Sequence, residues 1–85
     1  MNETNKQMSA SSSFENTIPA SARKALVEYW GNEHILNHPE IIAELGPVSI
    51  SKINRIGRKS LRRIAEALDR FGYIESSGKW LSEKK

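Results

Sequence analysis

Residues 57–72 read GRKSLRRIAEALDRFG, and they give the clearest indication of the fold. Its apolar residues recur at intervals of three and four, which is the spacing of one face of a helix. They are Leu61, Ile64, Ala65 and Leu68. We therefore predict an amphipathic helix over residues 58–71, ended by Gly72, a residue type that commonly terminates helices. The apolar face of such a helix must be buried against other elements of the same domain.

Similar patterns precede this helix. Residues 20–30 have apolar positions at helical spacing, and residues 32–45 predict a short helical segment that is broken or kinked before Pro39. Ser49 is expected to cap a further short helix that contains Ile50 and Ile53. These patterns predict an all-α fold, a compact bundle of four or five short helices ending in a helix-hairpin-helix, with a disordered N-terminal arm.

The length of 85 residues allows one small domain. Residues 1–16 are polar and Ser-rich, so we expect a disordered arm there, a helical domain over 17–82 and a flexible tail over 83–85. The chain has no cysteine, which excludes disulfides. The N-terminus lacks the apolar segment of a secretory signal, and no apolar run approaches the ~18 residues of a membrane span. We expect a soluble cytoplasmic protein without a membrane partner.

The segment 73–81 has two short apolar pieces around Ser76-Ser77-Gly78. It predicts either a small hairpin or a coil whose Trp80 packs back on the core. A hairpin here would resemble the wing of a winged-helix DNA-binding protein, in which the preceding helix enters the major groove.

The net charge of +3 is distributed unevenly along the chain. Residues 1–48 carry a net charge of −3, residues 49–72 a net charge of +5, and the remaining residues +1. Clustering of one sign on a short stretch is typical of a surface that contacts phosphates. The excess falls on the glycine turn at 53–57 and on the helix that follows it.

The start of this helix combines features that favour an anion. The first backbone amides of a helix have no intrahelical acceptor and carry partial positive charge. Four cations also occupy the first turns, although the helix dipole disfavours each of them by ~0.3–1 kcal/mol there. Because they lie off the apolar stripe, they should be exposed. The residues that we predict to contact nucleic acid in this region are Lys52, Arg55, Gly57, Arg58, Lys59, Ser60, Arg62 and Arg63.

The stretch from Ile53 to Leu61, followed by Ile64 and Leu68, resembles the helix-hairpin-helix in the C-terminal domain of the bacterial RNA polymerase alpha subunit. In that family a Gly-(Lys/Arg)-Lys-Ser-Leu segment opens the last helix, and the domain binds the DNA minor groove and contacts transcription activators. The resemblance is specific over residues 50–72.

By residue, the resemblance implies contact of the DNA backbone by Gly57, Lys59 and Ser60. It also implies that Arg23 corresponds to a minor-groove arginine of the family's first helix. Two positions depart from related patterns. Arg63 stands where the family often has an acidic residue, and Arg55 stands where helix-hairpin-helix sequences prefer a second glycine.

The sequence thus favours a DNA-binding module that acts in transcription, with double-stranded DNA as partner and RNA polymerase or a transcription factor as a further partner. A protein-interaction module that docks on a transcription complex, or a winged-helix regulator, stays as an alternative. His34 and His38 have a spacing that can hold a metal, but Pro39 interrupts the helix and no third ligand is near. We expect no metal, no cofactor and no enzymatic activity, because no catalytic constellation is present.

Overall fold

The computed structural model describes residues 14–83, and within them the chain forms helices and turns without a strand. Residues 14–17 are helical. The further elements are α1 (Ala20–Trp30), a 3₁₀ helix (Glu33–Asn37), α2 (Pro39–Leu45), α3 (Pro47–Ser51), α4 (Arg58–Arg70) and α5 (Ser77–Leu81). The predicted all-α fold is confirmed. The chain continues into α5, however, whereas the sequence predicted that the helix of residues 58–71 would be the last.

The helix boundaries follow local chemistry. Gly31 ends α1 in the left-handed conformation, with φ 69°, and its N–H donates to the Val27 carbonyl. Asn32 caps the 3₁₀ helix, because its side-chain oxygen accepts from the His34 N–H at 2.8 Å. The 3₁₀ helix ends at Asn37 and α2 begins at Pro39, so the predicted break before Pro39 is confirmed.

The predicted start of α3 is wrong. Ser49 does not cap this helix but lies inside it, since α3 begins at Pro47. Proline is well suited to the first position of a helix, because its φ is already helical and its missing N–H would have no partner there. This preference moves the N-cap from the predicted Ser49 to Gly46, three residues towards the N-terminus.

The end of α4 is a Schellman motif. The Tyr73 N–H donates to the Leu68 carbonyl at 2.8 Å, and the Gly72 N–H donates to the Asp69 carbonyl at 3.1 Å. Gly72 has φ 80°, which a glycine adopts without strain. The predicted stop at Gly72 is confirmed.

The core lies where the helices converge on α4. Helix α4 packs against α2, α3 and α5, while α1 packs against the 3₁₀ helix. The predicted stripe of α4 supplies Ile64, Ala65 and Leu68 to this core, with Leu61 half-buried at its edge. The large side chains that are essentially inaccessible to solvent are Phe14, Leu26, Ile42, Ile50, Ile64 and Leu68.

The N-terminal boundary of the domain lies earlier than predicted. Phe14 is only 1% exposed and belongs to the core, so the folded unit includes residues that the sequence predicted as part of the arm. The burial of Phe14 could not be predicted from the sequence, because a single aromatic residue in a polar segment has no hydrophobic periodicity. The predictions for residues 1–13 and 84–85 lie outside the described residues.

The tail is a helix rather than the expected hairpin or coil. Residues 73–76 form a turn, and α5 follows, with the Ser76 hydroxyl accepting from the Lys79 N–H at 3.1 Å. Trp80 is 2% exposed, and its indole N–H donates to the Ala43 carbonyl at 2.9 Å. The expected packing of Trp80 on the core is confirmed, but residues 73–83 lack the strands that a wing requires. No helix among residues 14–83 has the length and apolar content to cross a membrane.

Candidate nucleic-acid interface

Apolar side chains anchor the connection between α3 and α4 on the core. Ile50, Ile53 and Ile56 follow one another at intervals of three residues, and all are buried. The intervening polar residues, including Lys52 and Arg55, are exposed. The buried isoleucines thus hold the turn on the core and present its charged residues to solvent.

Helix α4 separates its charges from its core by helical periodicity. With 3.6 residues per turn, the cations of its first two turns cover one arc and the buried residues cover the opposite arc. These cations are Arg58, Lys59, Arg62 and Arg63, and all four are exposed. Together with Glu66 they line a shallow cleft of about 750 Å³. We call these four cations the basic surface.

The basic surface has no counter-charge at ion-pair distance among the described residues. Within residues 14–83, the ion pairs closer than 4.0 Å join His38 to Glu40, Arg55 to Glu28 and Lys79 to Glu75. None of them involves a cation of the basic surface. Glu66 lies on the same face of α4 without forming such a pair, so the field of the four cations is directed to solvent.

The backbone at the start of α4 is also uncapped. Gly57 is the N-cap residue, no side chain of the described part of the chain accepts from the amides of the first turn, and that turn holds no acidic residue. Helices α1, α2 and α3 likewise lack a side-chain cap, whereas side chains cap the 3₁₀ helix and α5. The free amides and the positive end of the dipole therefore add to the charge of the basic surface.

Gly57 is not required by the fold. Its backbone, with φ −94° and ψ −171°, is extended, and residues with a side chain adopt this conformation. A Cβ atom added at Gly57 would have no atom of residues 14–83 within 4 Å apart from its chain neighbours. The open space above Gly57 lets an external group approach the first amides of α4 closely.

A second groove adjoins the basic surface. It has a volume of about 510 Å³, and residues 16–19 form one wall while Lys59, Ser60 and Arg63 form the other. Ser60 is half-buried there. The wall of residues 16–19 was not predicted, because nothing in the polar segment before Pro19 signals that it folds against α4.

Arg23 supports that wall instead of joining the basic surface. Its guanidinium Nη1 donates to the carbonyls of Glu15 at 2.9 Å and Ile18 at 3.0 Å, and the residue is half-buried. Hydrogen bonds from a charged group to backbone carbonyls hold this segment on α1. The structure thus places Arg23 in a supporting position, whereas the resemblance implied a minor-groove contact.

Arg55 has an unusual backbone conformation. Its φ is 75°, and within residues 14–83 it is the one residue other than glycine with a positive φ. The left-handed region costs a residue with a Cβ about 1–2 kcal/mol. The Nη1 atom lies 3.4 Å from the Glu28 Oε2 atom of α1, a contact that spans 27 residues and that the sequence did not reveal.

The histidines lie away from these features. His38 Nδ1 is 3.1 Å from the Glu40 carboxylate, and a backbone hydrogen bond together with this contact lowers the pKa of Glu40. No group of three or more potential metal ligands occurs in the described part of the chain.

Of the predicted site residues, the structure brings Arg58, Lys59, Arg62 and Arg63 together in one cleft and Lys59, Ser60 and Arg63 in the adjoining groove, whereas Lys52, Arg55 and Arg23 line neither. Comparison with known protein families, curated proteins and solved structures finds no match for this chain. Its function must therefore be inferred from its own residues.

Proposed function

We propose that this protein is a DNA-binding module that contacts the phosphate backbone through the Gly57 turn and the start of α4. The observation that carries the proposal is the basic surface, four exposed cations at an uncapped helix start, without an ion pair to any of residues 14–83. Acidic residues in the first turn would stabilise α4 through the helix dipole, and that turn has cations instead. Within residues 14–83 these cations form no ion pair, and a bound anion would supply one.

The chemistry of the turn fits a phosphodiester. Backbone amides at a helix start donate to phosphate oxygens, and arginine adds a planar pair of donors. Gly57 leaves the amides accessible, and Lys59 and Ser60 extend the polar rim towards the second groove. Contacts of this type neutralise the backbone without reading bases, so we expect weak sequence preference.

A role in transcription, with minor-groove binding, rests on the resemblance of residues 50–72 to the C-terminal domain of the polymerase alpha subunit. That resemblance assigns backbone contact to Gly57, Lys59 and Ser60, the same residues that surround the open amides. The alternative is a module that docks on a transcription complex through protein contacts without touching DNA. Binding to DNA itself distinguishes the two.

The test is binding of a fluorescein-labelled mixed-sequence DNA duplex, followed by fluorescence anisotropy over a range of salt concentrations. Each phosphate contact contributes about 0.9 to the slope of log affinity against log salt. We expect the double variant K59A/R63A to bind about 10- to 100-fold more weakly at low salt, since an exposed charged contact contributes about 1 kcal/mol. Its salt slope should fall by about 1.8.

The matched control is R70A/K79A, which removes the same charge from the other end of α4 and from α5. At 1.5 Å per residue, Arg70 lies about 10 Å along the helix from Arg63 and about 16 Å from Lys59, so it is at or beyond the Debye length of about 8–10 Å from both. The control should bind DNA almost as the unaltered protein does. Equal affinity and equal slope for K59A/R63A and the unaltered protein would refute the proposed site. Absence of DNA binding together with NMR shifts caused by a protein partner would favour the docking module.

A further inference from the structure

A groove between α2 and α5 lies apart from the basic surface and has the opposite charge. Its volume is about 390 Å³, and it shares no lining residue with the two clefts at the start of α4. Four glutamates line it, and no lysine or arginine of residues 14–83 does so. They are Glu40, Glu44, Glu75 and Glu83, and all four are exposed. We call this cleft the acidic groove.

The carboxylates of the acidic groove are only partly neutralised within the described chain. Glu75 pairs with Lys79 at 2.6 Å, and the ion-pair partner of Glu40 is a histidine, which is charged only when protonated. Glu44 and Glu83 have no ion pair among residues 14–83. The negative field of the groove is therefore directed to solvent, as the positive field of the basic surface is.

The rest of the lining is apolar. Ala43 of α2 and Ile74 of the turn after α4 are half-buried, and Trp80 of α5 is buried. Tyr73 lines the same groove and is 42% exposed. Arginine suits such a lining, because its guanidinium stacks on an aromatic ring and its N–H groups pair with carboxylates. The groove thus fits a partner surface that presents exposed arginines.

The protein itself carries a surface of this chemistry. The basic surface holds three arginines and one lysine, all of them exposed and without an ion pair to any of residues 14–83. Four cations on this surface correspond to four carboxylates in the groove, so a contact between the two would be electrostatically complementary. Because every copy of the chain carries both halves of this contact, charge complementarity points to a second copy as the occupant.

The two surfaces lie towards opposite ends of α4. The basic surface occupies its first two turns. The acidic groove adjoins its other end, where the Ser77 N–H donates to the Asp69 carboxylate at 3.0 Å and fixes the start of α5. From Arg63 to Arg70 the helix advances about 10 Å at 1.5 Å per residue. The groove of one copy therefore stays accessible while its basic surface is in contact, and a head-to-tail contact can be repeated.

We propose that the acidic groove binds the basic surface of a second copy of this chain. The contact is heterologous, so a pair keeps one free groove and one free basic surface, and short open chains form at high protein concentration. Its charge pairs stay accessible to water, and the association is therefore weak and salt-sensitive. The inference does not rest on DNA binding, but a DNA duplex bound to the basic surface would compete with the second copy.

Two variants separate the halves of the contact. E44K/E83K alters the groove and keeps the basic surface, whereas R62A/R63A weakens the basic surface and keeps the groove. The changes suit their positions, because Glu44 lies in the last turn of α2, where the helix dipole favours a cation, and alanine is a strong helix former in α4. Both variants should fold, which circular dichroism during heating checks.

Sedimentation equilibrium at low salt measures the assembly. The average mass of the unaltered protein should rise with concentration above the 9.6 kDa of one chain. Each variant alone should associate about tenfold more weakly, since two charge pairs are lost. An equimolar mixture should form a pair of about 19 kDa, twice the mass of one chain, because one variant supplies the intact groove and the other the intact basic surface. The pair should not grow further, and high salt should dissociate it.

The matched control is E28K/E33K, which makes the same change of charge at two exposed glutamates outside the groove. It should associate as the unaltered protein does. The proposal is overturned if the unaltered protein keeps the mass of one chain at about 1 mM, or if E28K/E33K and E44K/E83K associate equally. It is also overturned if the mixture forms no pair. Binding of a labelled octaarginine peptide that E44K/E83K abolishes, without self-association, would assign the groove to a different basic partner. None of these measurements includes DNA, so their outcome is independent of the duplex assay.

Discussion

Substitution of Gly57 by alanine tests whether this glycine is needed for folding or for binding an external partner. The backbone of Gly57 suits alanine, and the added Cβ meets no atom of residues 14–83 within 4 Å apart from its chain neighbours. Alanine is a poorer N-cap than glycine by about 0.5–1 kcal/mol, but it also reduces the freedom of the unfolded chain by about 0.4–1 kcal/mol. These effects oppose each other, so the free energy of unfolding should change by less than about 1 kcal/mol.

The effect of Gly57→Ala on DNA binding should be much larger. A phosphate oxygen bound to the first amides of α4 lies about 2.9 Å from a nitrogen, and a methyl group beside it prevents that approach. Loss of one hydrogen bond to a charged acceptor corresponds to about 1.5–3 kcal/mol, or about 10- to 150-fold in affinity. Circular dichroism during heating measures the stability, and anisotropy of the labelled duplex measures the binding.

Gly78→Ala is the matched control, because Gly78 is a glycine outside the site that also has open space where a Cβ would lie. It lies in α5, so alanine should stabilise the helix slightly and leave DNA binding unchanged. A folded Gly57→Ala variant that binds DNA with the affinity of the unaltered protein would refute this phosphate contact. In that case the amides at the start of α4 do not contact the phosphate.

Three further substitutions test the supporting structure. Trp80→Phe removes the hydrogen bond to the Ala43 carbonyl and leaves a small cavity, so the free energy of unfolding should fall by about 1–3 kcal/mol in urea denaturation. Arg23→Met keeps the apolar stem but loses both hydrogen bonds to the carbonyls before α1, so hydrogen exchange in residues 14–19 should become faster. The pKa of the Glu40 carboxyl is lower in the folded chain than in the unfolded chain. Glu40 therefore stabilises the fold at pH values above its unfolded pKa, and this stabilisation is lost as the pH falls through its folded pKa. An NMR titration should give a Glu40 pKa below 4.5, and His38→Ala should raise it.

The elements around α4 show which structural features local sequence patterns can predict. The stripe of α4, the stop at Gly72 and the break before Pro39 were predicted correctly, because each depends on residues within one or two turns of helix. The start of α3 was misplaced, since two local signals competed and the proline at 47 prevailed over the serine at 49. The tail from residue 73 was predicted wrongly because its turn residues suit a hairpin and a helix cap equally well.

Part of the candidate site was also predictable from local periodicity. The cations of the basic surface were expected to be exposed from helical periodicity alone, and they are. The role of Arg23 could not be deduced, because it depends on where the segment before Pro19 folds. Likewise, no feature of the sequence indicates that Glu28 lies beside Arg55.

Local patterns in the sequence specify the helical class of this protein, the extent of its longest amphipathic helices and the concentration of positive charge at one glycine turn. These properties follow from spacings of three and four residues and from the chemistry of single turns. Only the folded chain shows that Phe14 completes the core, that residues 16–19 form a second wall beside Lys59, and that Glu28 meets Arg55. Such contacts join residues far apart in the chain, and they form only when burial of the common core brings their helices together.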